Sequence, residues 1–240
     1  MSRIDGREAA VLRPITITPG FQAFADGSVL IEQGRTRVIC SVTMEEKVPG
    51  FLRNSGTGWV TAEYAMLPAS TSSRTPREST QGKVSGRSQE IQRLIGRSLR
   101  AVTDTAALGE RSFTVDCDVI QADAGTRTAA ISGSYVALYL AFNKLLRMGV
   151  LKKIPLLTQV AAVSVVIKKN AILLDPSYDE DCGADVDFNL VMNSKGEFIE
   201  IQGTAEQKPF SRDNMDTVFN LAEKGIREIF DIQNAALVGI

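Results

Sequence analysis

Histidine is absent from the 240-residue chain, and that absence is restrictive. It removes Ser-His and Cys-His nucleophile systems, His-ligated zinc and imidazole acid–base work. Chemistry must then come from carboxylates, lysine, arginine or a hard metal ion. Cysteine is scarce. Cys40, Cys117 and Cys182 are far apart and outside any CxxC spacing, so neither a disulfide framework nor a zinc site is indicated, and they read as buried small hydrophobes. No window approaches the ~18 apolar residues of a membrane span, and the start from Met1 to Gly6 carries no apolar leader. No membrane partner is expected, and the chain reads as cytoplasmic. Charge of one sign is also missing overall: the net charge is −1, so the total gives no general attraction for nucleic acid. Neither GxxxxGK(S/T) nor GxGxxG occurs, which leaves a nucleoside triphosphatase or a Rossmann enzyme with little support.

What is present suffices for a core. The apolar fraction is an ordinary 44%, and a chain of this length buries roughly 70–75% of its unfolded surface. The stretch from Asp123 to Thr128 joins two clear patterns. Before it, Phe113 to Ile120 alternates apolar and polar residues as a half-buried strand does. After it, Ala129 to Met148 is an apolar run ending in Lys144, Arg147 and Gly149, the cations and glycine that close helices. Gly125 at that junction lets a ligand approach the backbone, and the first N–H groups of a helix lack intrahelical partners. These groups suit a phosphate. Thr126 or Thr128 can add a hydroxyl, and Arg127 a planar fork that matches two phosphate oxygens. A helix terminus supplies only about 0.3–1 kcal/mol when exposed, so the arginine must carry much of the binding. The same residues also read as an ordinary helix start, with Thr126 as N-cap and Arg127 solvated, and local pattern alone does not choose.

Charge is unevenly distributed. From Arg74 to Arg100, Arg74, Arg77, Lys83, Arg87, Arg93, Arg97 and Arg100 face only Glu78 and Glu90, a local net of +5. Residues 69–85, rich in Ser, Thr, Arg and Gly, read as a long mobile loop. A helix from about Ser88 to Asp104 follows, with Ile91, Leu94, Ile95, Leu99 and Val102 on one face and Arg93, Arg97 and Arg100 on the other. The arginines are a solvated face or, given the basic loop beside them, a surface that follows a nucleic-acid backbone.

Elsewhere, strands are expected at Ile15–Thr18, Ser28–Glu32, Thr36–Thr43 and Trp59–Met66. A hairpin is expected about Lys169-Asn170 and another about Ser194-Lys195-Gly196, with an amphipathic helix from Arg212 to about Asp231. Between the hairpins, Asp175, Asp179, Glu180, Asp181, Asp185 and Asp187 crowd into thirteen residues. Such loops are usually solvated turns, but this one runs into a strand whose alternation puts Asp185 and Asp187 on one face. Carboxylates crowded there need a cation such as Mg²⁺, a raised pKa, or both. Strands grouped with strands and then long helices indicate an α+β architecture.

Three separated pieces carry a family resemblance: Gly86 to Ile95 (GRSQEIQRLI), Asp116 to Thr128 (DCDVIQADAGTRT) and Glu200 to Glu206 (EIQGTAE), joined by Gly58 to Tyr64 (GWVTAEY). The chain resembles the bacterial RNase PH family along nearly its whole length. The resemblance implies a phosphate-dependent exoribonuclease that trims tRNA 3′ ends, in which inorganic phosphate attacks the terminal phosphodiester and a nucleoside diphosphate leaves. The reverse reaction adds nucleotides to RNA 3′ ends. It also implies mixed β-sheets with packed long helices, one core spanning residues 1–240, and a homohexameric ring built as a trimer of dimers. The family's phosphate site falls on Arg87, Gly125, Thr126 and Arg127. Its catalytic carboxylates fall on Asp181 and Asp187, which would also hold Mg²⁺ or Mn²⁺, with Asp187 as the acid for the departing 3′ oxygen. Arg74 and Arg77 match positions that grip tRNA, and Arg93 and Arg97 extend that surface. Two departures stand out: Ala69 replaces a third tRNA-gripping arginine, which would weaken RNA binding, and Asp185 replaces the family's usual Glu, which would alter metal geometry slightly. The competing reading is an RNA-binding ring subunit of an exosome-like complex, inactive or active only beside a partner. The joint presence of Arg87, Arg127, Asp181 and Asp187 speaks against an inactive subunit.

Overall fold

The computed structural model describes residues 3–206 and 208–240; Met1 and Ser2, which belong to the start expected to carry no leader, and Gln207 lie outside it. The strands form two sheets. β1 (Ile15–Pro19), β2 (Gly27–Gln33), β3 (Thr36–Glu45), β4 (Trp59–Met66) and β5 (Ser112–Gln121) assemble in the order β1-β2-β3-β5-β4. β6 (Val160–Lys168), β7 (Ala171–Leu174), β8 (Val186–Asn193) and β9 (Phe198–Ala205) assemble as β7-β6-β8-β9. All the pairings in the second sheet are antiparallel. In the first, β4 lies parallel to β5, a pairing the sequence pattern did not predict. Parallel neighbours need a crossover, here formed by residues 67–111 with α1 (Gly86–Arg100) inside it. That crossover brings the N-terminal end of α1 back to the end of the sheet where β4 and β5 finish.

Between the sheets runs α2 (Thr126–Arg147), packed on β2 and β3 on one side and on β6 on the other. Its Ala129, Ala130, Ile131, Val136, Ala137, Leu138 and Phe142 are fully buried. Contrary to the expectation that no window is apolar enough, this helix has the length and composition of a membrane span, but 72% of that window is buried within the fold. A helix apolar all round is what a two-sided core demands. Small residues appear where a strand backbone must come close. At Gly27 of β2 a Cβ would lie 2.2 Å from the Ala137 carbonyl oxygen and 2.5 Å from the Ala141 nitrogen, so strand and helix backbones meet there directly.

α4 (Arg212–Leu237) covers the far face of the second sheet through Val218, Ala222, Ile226 and Ile229. It runs past the expected end at Asp231 because Gln233, although polar, is completely buried and donates to the carbonyls of Ser132 and Val160, each at 3.0 Å. The expected Lys169-Asn170 hairpin turn is present with both residues at positive φ, 50° and 66°, as a type I′ turn requires. α1 starts two residues earlier than expected because Ser85, not a later serine, caps it: its hydroxyl accepts the Ser88 N–H at 3.1 Å. Arg87 thereby falls in the first helical turn.

Gly27→Ala is expected to cost about 3 kcal/mol, the upper part of the range for overpacking, because the collision is with helix backbone rather than a movable side chain. A urea denaturation midpoint close to the wild-type value would contradict the close approach of β2 to α2.

Candidate active site

Both sheets contribute to one cleft of about 710 Å³, whose lining includes Arg87, Gly125, Thr126, Arg127, Asp181 and Asp187. Six residues that the sequence set apart in three segments, two for anion binding and one for acid chemistry, therefore meet. Each arrives for a local reason. β5 ends at Gln121, and the chain turns through Ala124 (φ 56°) and Gly125 (φ 63°) before α2 begins. Two successive left-handed residues swing the first N–H groups of α2 outward, a backbone concavity suited to anions. Gly125 occupies the N-cap position without a side-chain cap, and Thr126 is already helical. The plain reading of Thr126 as N-cap therefore does not describe this turn. Its hydroxyl pairs instead with the buried Tyr64 hydroxyl at 2.8 Å, while Thr128 donates back to the Gly125 carbonyl at 2.9 Å. Of the two threonines the sequence left open, Thr126 is the one that lines the cleft.

Arg127 is aimed by neighbours from two elements. Its Nη1 donates to Gln202 Oε1 of β9 at 3.1 Å and stands 3.5 Å from Glu90 Oε1 of α1. Gln202 in turn donates to Glu90 at 2.9 Å, so two mutually bonded side chains restrain the guanidinium.

The carboxylates come from the second sheet. Asp181 closes a single helical turn, α3 (Tyr178–Asp181), which the sequence pattern did not suggest; Ser177 and Glu180 form its capping box. Asp187 is the second residue of β8, and Asn189, on the same face two residues on, donates to its Oδ2 at 3.1 Å. Ser164 of β6 holds Asn189 in turn, donating at 2.8 Å. Burial raises the Asp187 carboxyl above its usual range, and the charge of Asp181 adds to the effect against the pull of Arg127, Asn189 and Arg87. Asp181 is also raised, by burial, although Arg87, Arg127, Arg13 and Lys168 oppose it. The opposing arginines place the anion-binding cations and the carboxylates within electrostatic reach of each other. Tyr64 is pushed up too, chiefly by burial, and stays a neutral hydroxyl.

The remaining candidates lie outside the cleft. Arg74, Arg77 and Arg93 are exposed. Arg97 forks onto Glu200 of β9 at 2.7 and 3.1 Å, a half-exposed pair worth little on its own. The loop carrying Arg74 and Arg77 contributes Ala69, Ser70 and Thr71 to the cleft wall and holds a short 3₁₀ turn, Glu78–Gln81, anchored where Ser88 donates to Glu78 at 2.6 Å. Asp185 is tied to the β6–β7 turn, accepting the Lys169 N–H at 2.8 Å. It does not line the cleft beside Asp187, because β8 begins only at Val186 and the expected alternation does not extend back to it. Tyr64, Glu90, Ser164, Asn189 and Gln202 were not singled out from sequence; of these, only Asn189 carried a local signal, its i+2 spacing from Asp187.

Two family models describe the chain in succession: the 3′ exoribonuclease family, domain 1, matches residues 11–142, and domain 2 of the same family matches residues 158–225. The chain belongs to the 3′ exoribonuclease family. Its relatives in that family include Ribonuclease PH of Dehalococcoides mccartyi, 73% identical over 97% of each chain. Ribonuclease PH of Syntrophomonas wolfei is 58% identical over 99% of each, and that of Bacillus cereus 55% identical over 98% of this chain and 96% of its own. Among solved structures, an Archaeoglobus fulgidus exosome with RNA bound to the active site superposes with a TM-score of 0.82 at 20% identity, covering 96% of this chain and 92% of the other. An archaeal exosome core gives 0.79 at 20% identity, covering 97% and 91%. The exosome likeness establishes the shared fold alone, whereas the full-length family relatives are Ribonuclease PH proteins.

A carboxyl whose folded pKa is raised contributes stability at low pH that is lost as pH rises through that pKa, since the buried charge must then form. Asp187→Asn removes this penalty. With metal chelated, the variant should melt at a higher temperature than wild type at pH 8, and the difference should vanish towards pH 4. A variant that melts lower at pH 8 would show that the arginines more than compensate the buried charge.

Proposed function

We propose that in this chain, a phosphate-dependent 3′ exoribonuclease of the RNase PH type, Gly125, Thr126, Arg127 and Arg87 hold the attacking phosphate and Asp187 protonates the departing 3′ oxygen. A phosphate oxygen bonds to the phosphorus of the terminal phosphodiester, the bond from that phosphorus to the 3′ oxygen breaks, and the shortened RNA takes the proton. The terminal nucleotide then leaves as a nucleoside 5′-diphosphate. The observation that carries this reading is the joint placement, in one cleft, of a helix N-terminus with two arginines and a pair of carboxyls raised by burial. The cations bind the anion and neutralise charge gathering on the transferring phosphoryl group. The raised carboxyl keeps a proton where an ordinary aspartate would have lost it. With histidine absent, the acid falls to a cleft carboxyl, and Asp187 is raised by burial with the charge of Asp181 adding to the effect.

Asp181 and Asp187 suit a hard divalent cation such as Mg²⁺ or Mn²⁺, since two buried carboxylates, Asp187 raised further by the charge of Asp181, are relieved by a positive ion. No cluster of three or more acidic or sulfur ligands occurs among the described residues, so such an ion would complete its shell with water and phosphate oxygens, as Mg²⁺ commonly does. When bound, it would supply further charge neutralisation at the reacting phosphate. The RNA substrate is proposed to be precursor tRNA, held upstream of its 3′ end by Arg74, Arg77 and Arg93, with Arg97 joining once released from Glu200. The working assembly is proposed to be a homohexamer, a trimer of dimers, acting in the cytoplasm.

A precursor tRNA with a 3′ extension, incubated with Mg²⁺ with and without inorganic phosphate, tests the reaction. Phosphate-dependent release of nucleoside diphosphates is expected. Arg127→Ala should lower kcat/KM for phosphate by ~10²–10³-fold, the usual cost of removing one preorganised donor, and Asp187→Asn should lower kcat by a similar factor. Release of monophosphates without added phosphate would mean hydrolysis and sink the assignment of the anion site.

A further inference from the structure

Asp123 lies two residues before the glycine that opens α2, and its two carboxylate oxygens are used in different directions. Oδ1 accepts the N–H of Tyr178, the first residue of α3, at 2.9 Å. Oδ2 stands 3.6 Å from Nη1 of Arg13, a guanidinium only 4% exposed. Arg13 also donates from Nη1 to the Asp123 carbonyl oxygen, and it forks onto Asp175 through Nε at 3.0 Å and Nη2 at 2.6 Å. Asp175, which follows β7 at a positive φ of 50°, is further held by the Arg13 N–H at 2.8 Å and by Gln33 Nε2 at 2.9 Å. The pair sits directly beneath the anion loop: a Cβ at Gly125 would lie 3.2 Å from Arg13 Nη2. Asp123 thus joins the loop that presents Gly125, Thr126 and Arg127 to the turn that presents Asp181, and Arg13 clamps the joint to the second sheet.

We propose that Asp123, braced by Arg13, is a positioning residue for phosphorolysis that fixes the spacing between the bound phosphate and the carboxylates of Asp181 and Asp187. The proposal rests on the phosphorolytic reading of the cleft. A buried ion pair is weak evidence of a stabilising role, because well-packed apolar groups commonly replace one without loss. What charged, directional bonds provide here is alignment. An in-line attack tolerates little displacement, and a misplacement of about 1 Å costs on the order of 10²-fold in rate. Each half of the site keeps its own scaffold, α2 for the phosphate and the capped turn with β8 for the carboxylates. Breaking the tether should therefore separate binding from turnover.

The experiment uses the full chain and measures kcat at saturating RNA and phosphate, together with the rise in melting temperature caused by inorganic phosphate. Asp123→Ala is expected to lose ~10²-fold in kcat while phosphate still raises its melting temperature as in wild type. Asp123→Asn, which keeps an acceptor for the Tyr178 N–H, should recover most of that loss. Should the alanine variant fail to fold, Asp123→Glu carries the test, since it keeps the charge facing Arg13 but displaces the acceptor by one methylene; lowered kcat with intact phosphate protection is again expected. Unchanged kcat in either variant, an asparagine variant no better than alanine, or a fall in kcat accompanied by lost phosphate protection would overturn the tether. A wild-type enzyme that releases no nucleoside diphosphate would instead overturn the phosphorolytic reading, leaving the tether without a reaction to serve.

Discussion

Burial of α2 on two sides is the constraint from which the other features follow. A helix that packs against a sheet on either flank must be apolar all round, with small residues where backbones approach closely, and its first turn must emerge at the end of both sheets. There its unpaired N–H groups face a cleft to which both halves offer polar side chains. The left-handed pair Ala124 and Gly125 makes that emergence possible. Gly125, Thr126 and Arg127 are then held at one point by a helix buried on both flanks, and Arg87 joins them from α1, so the anion site is rigid without being built for rigidity alone.

The carboxylates show the opposite economy. Asp181 and Asp187 are placed where burial works against ionisation, with the charge of Asp181 adding to the effect on Asp187, and Arg87 and Arg127 only partly offset this. Such a pair is a cost to the folded chain near neutrality. Its position is nonetheless determined by several independent bonds: the Ser177–Glu180 capping box, the Ser164–Asn189–Asp187 chain, and the buried fork of Arg3 onto Glu180 at 2.9 and 2.7 Å. Residues remote from the chemistry hold charges in an unfavourable place, which is the usual relation between a scaffold and a reactive site.

Much of the fold was legible because alternation of period two and the helical period survive in single segments. β4, β6, β7 and β9 and the cores of α1 and α2 fall where those patterns put them. What escaped was non-local or capped by chemistry that pattern does not register. The parallel β4–β5 pairing depends on a crossover, and the single turn α3 depends on a capping box within an acid stretch that reads as a plain turn. The last six residues of α4 depend on a buried glutamine satisfied by carbonyls from α2 and β6. The pairing of Arg13 with Asp175 carried no signal, since the partners lie 162 residues apart.

By itself, then, the sequence determined which chemistry was possible. With no histidine, a Gly-Thr-Arg-Thr helix start, a basic segment around Arg87 and an acidic one around Asp181 and Asp187, it pointed to anion binding with carboxylate acid chemistry, because residue type and short-range spacing control both. Only the tertiary structure decided that these segments share one cleft, that Thr126 rather than Thr128 lines it, that Asp185 serves a turn and not the site, and that Arg97 is already paired. Those outcomes depend on which side chains become neighbours and lose water together, and desolvation and hydrogen-bond partnership are properties of the packed chain that no local window contains.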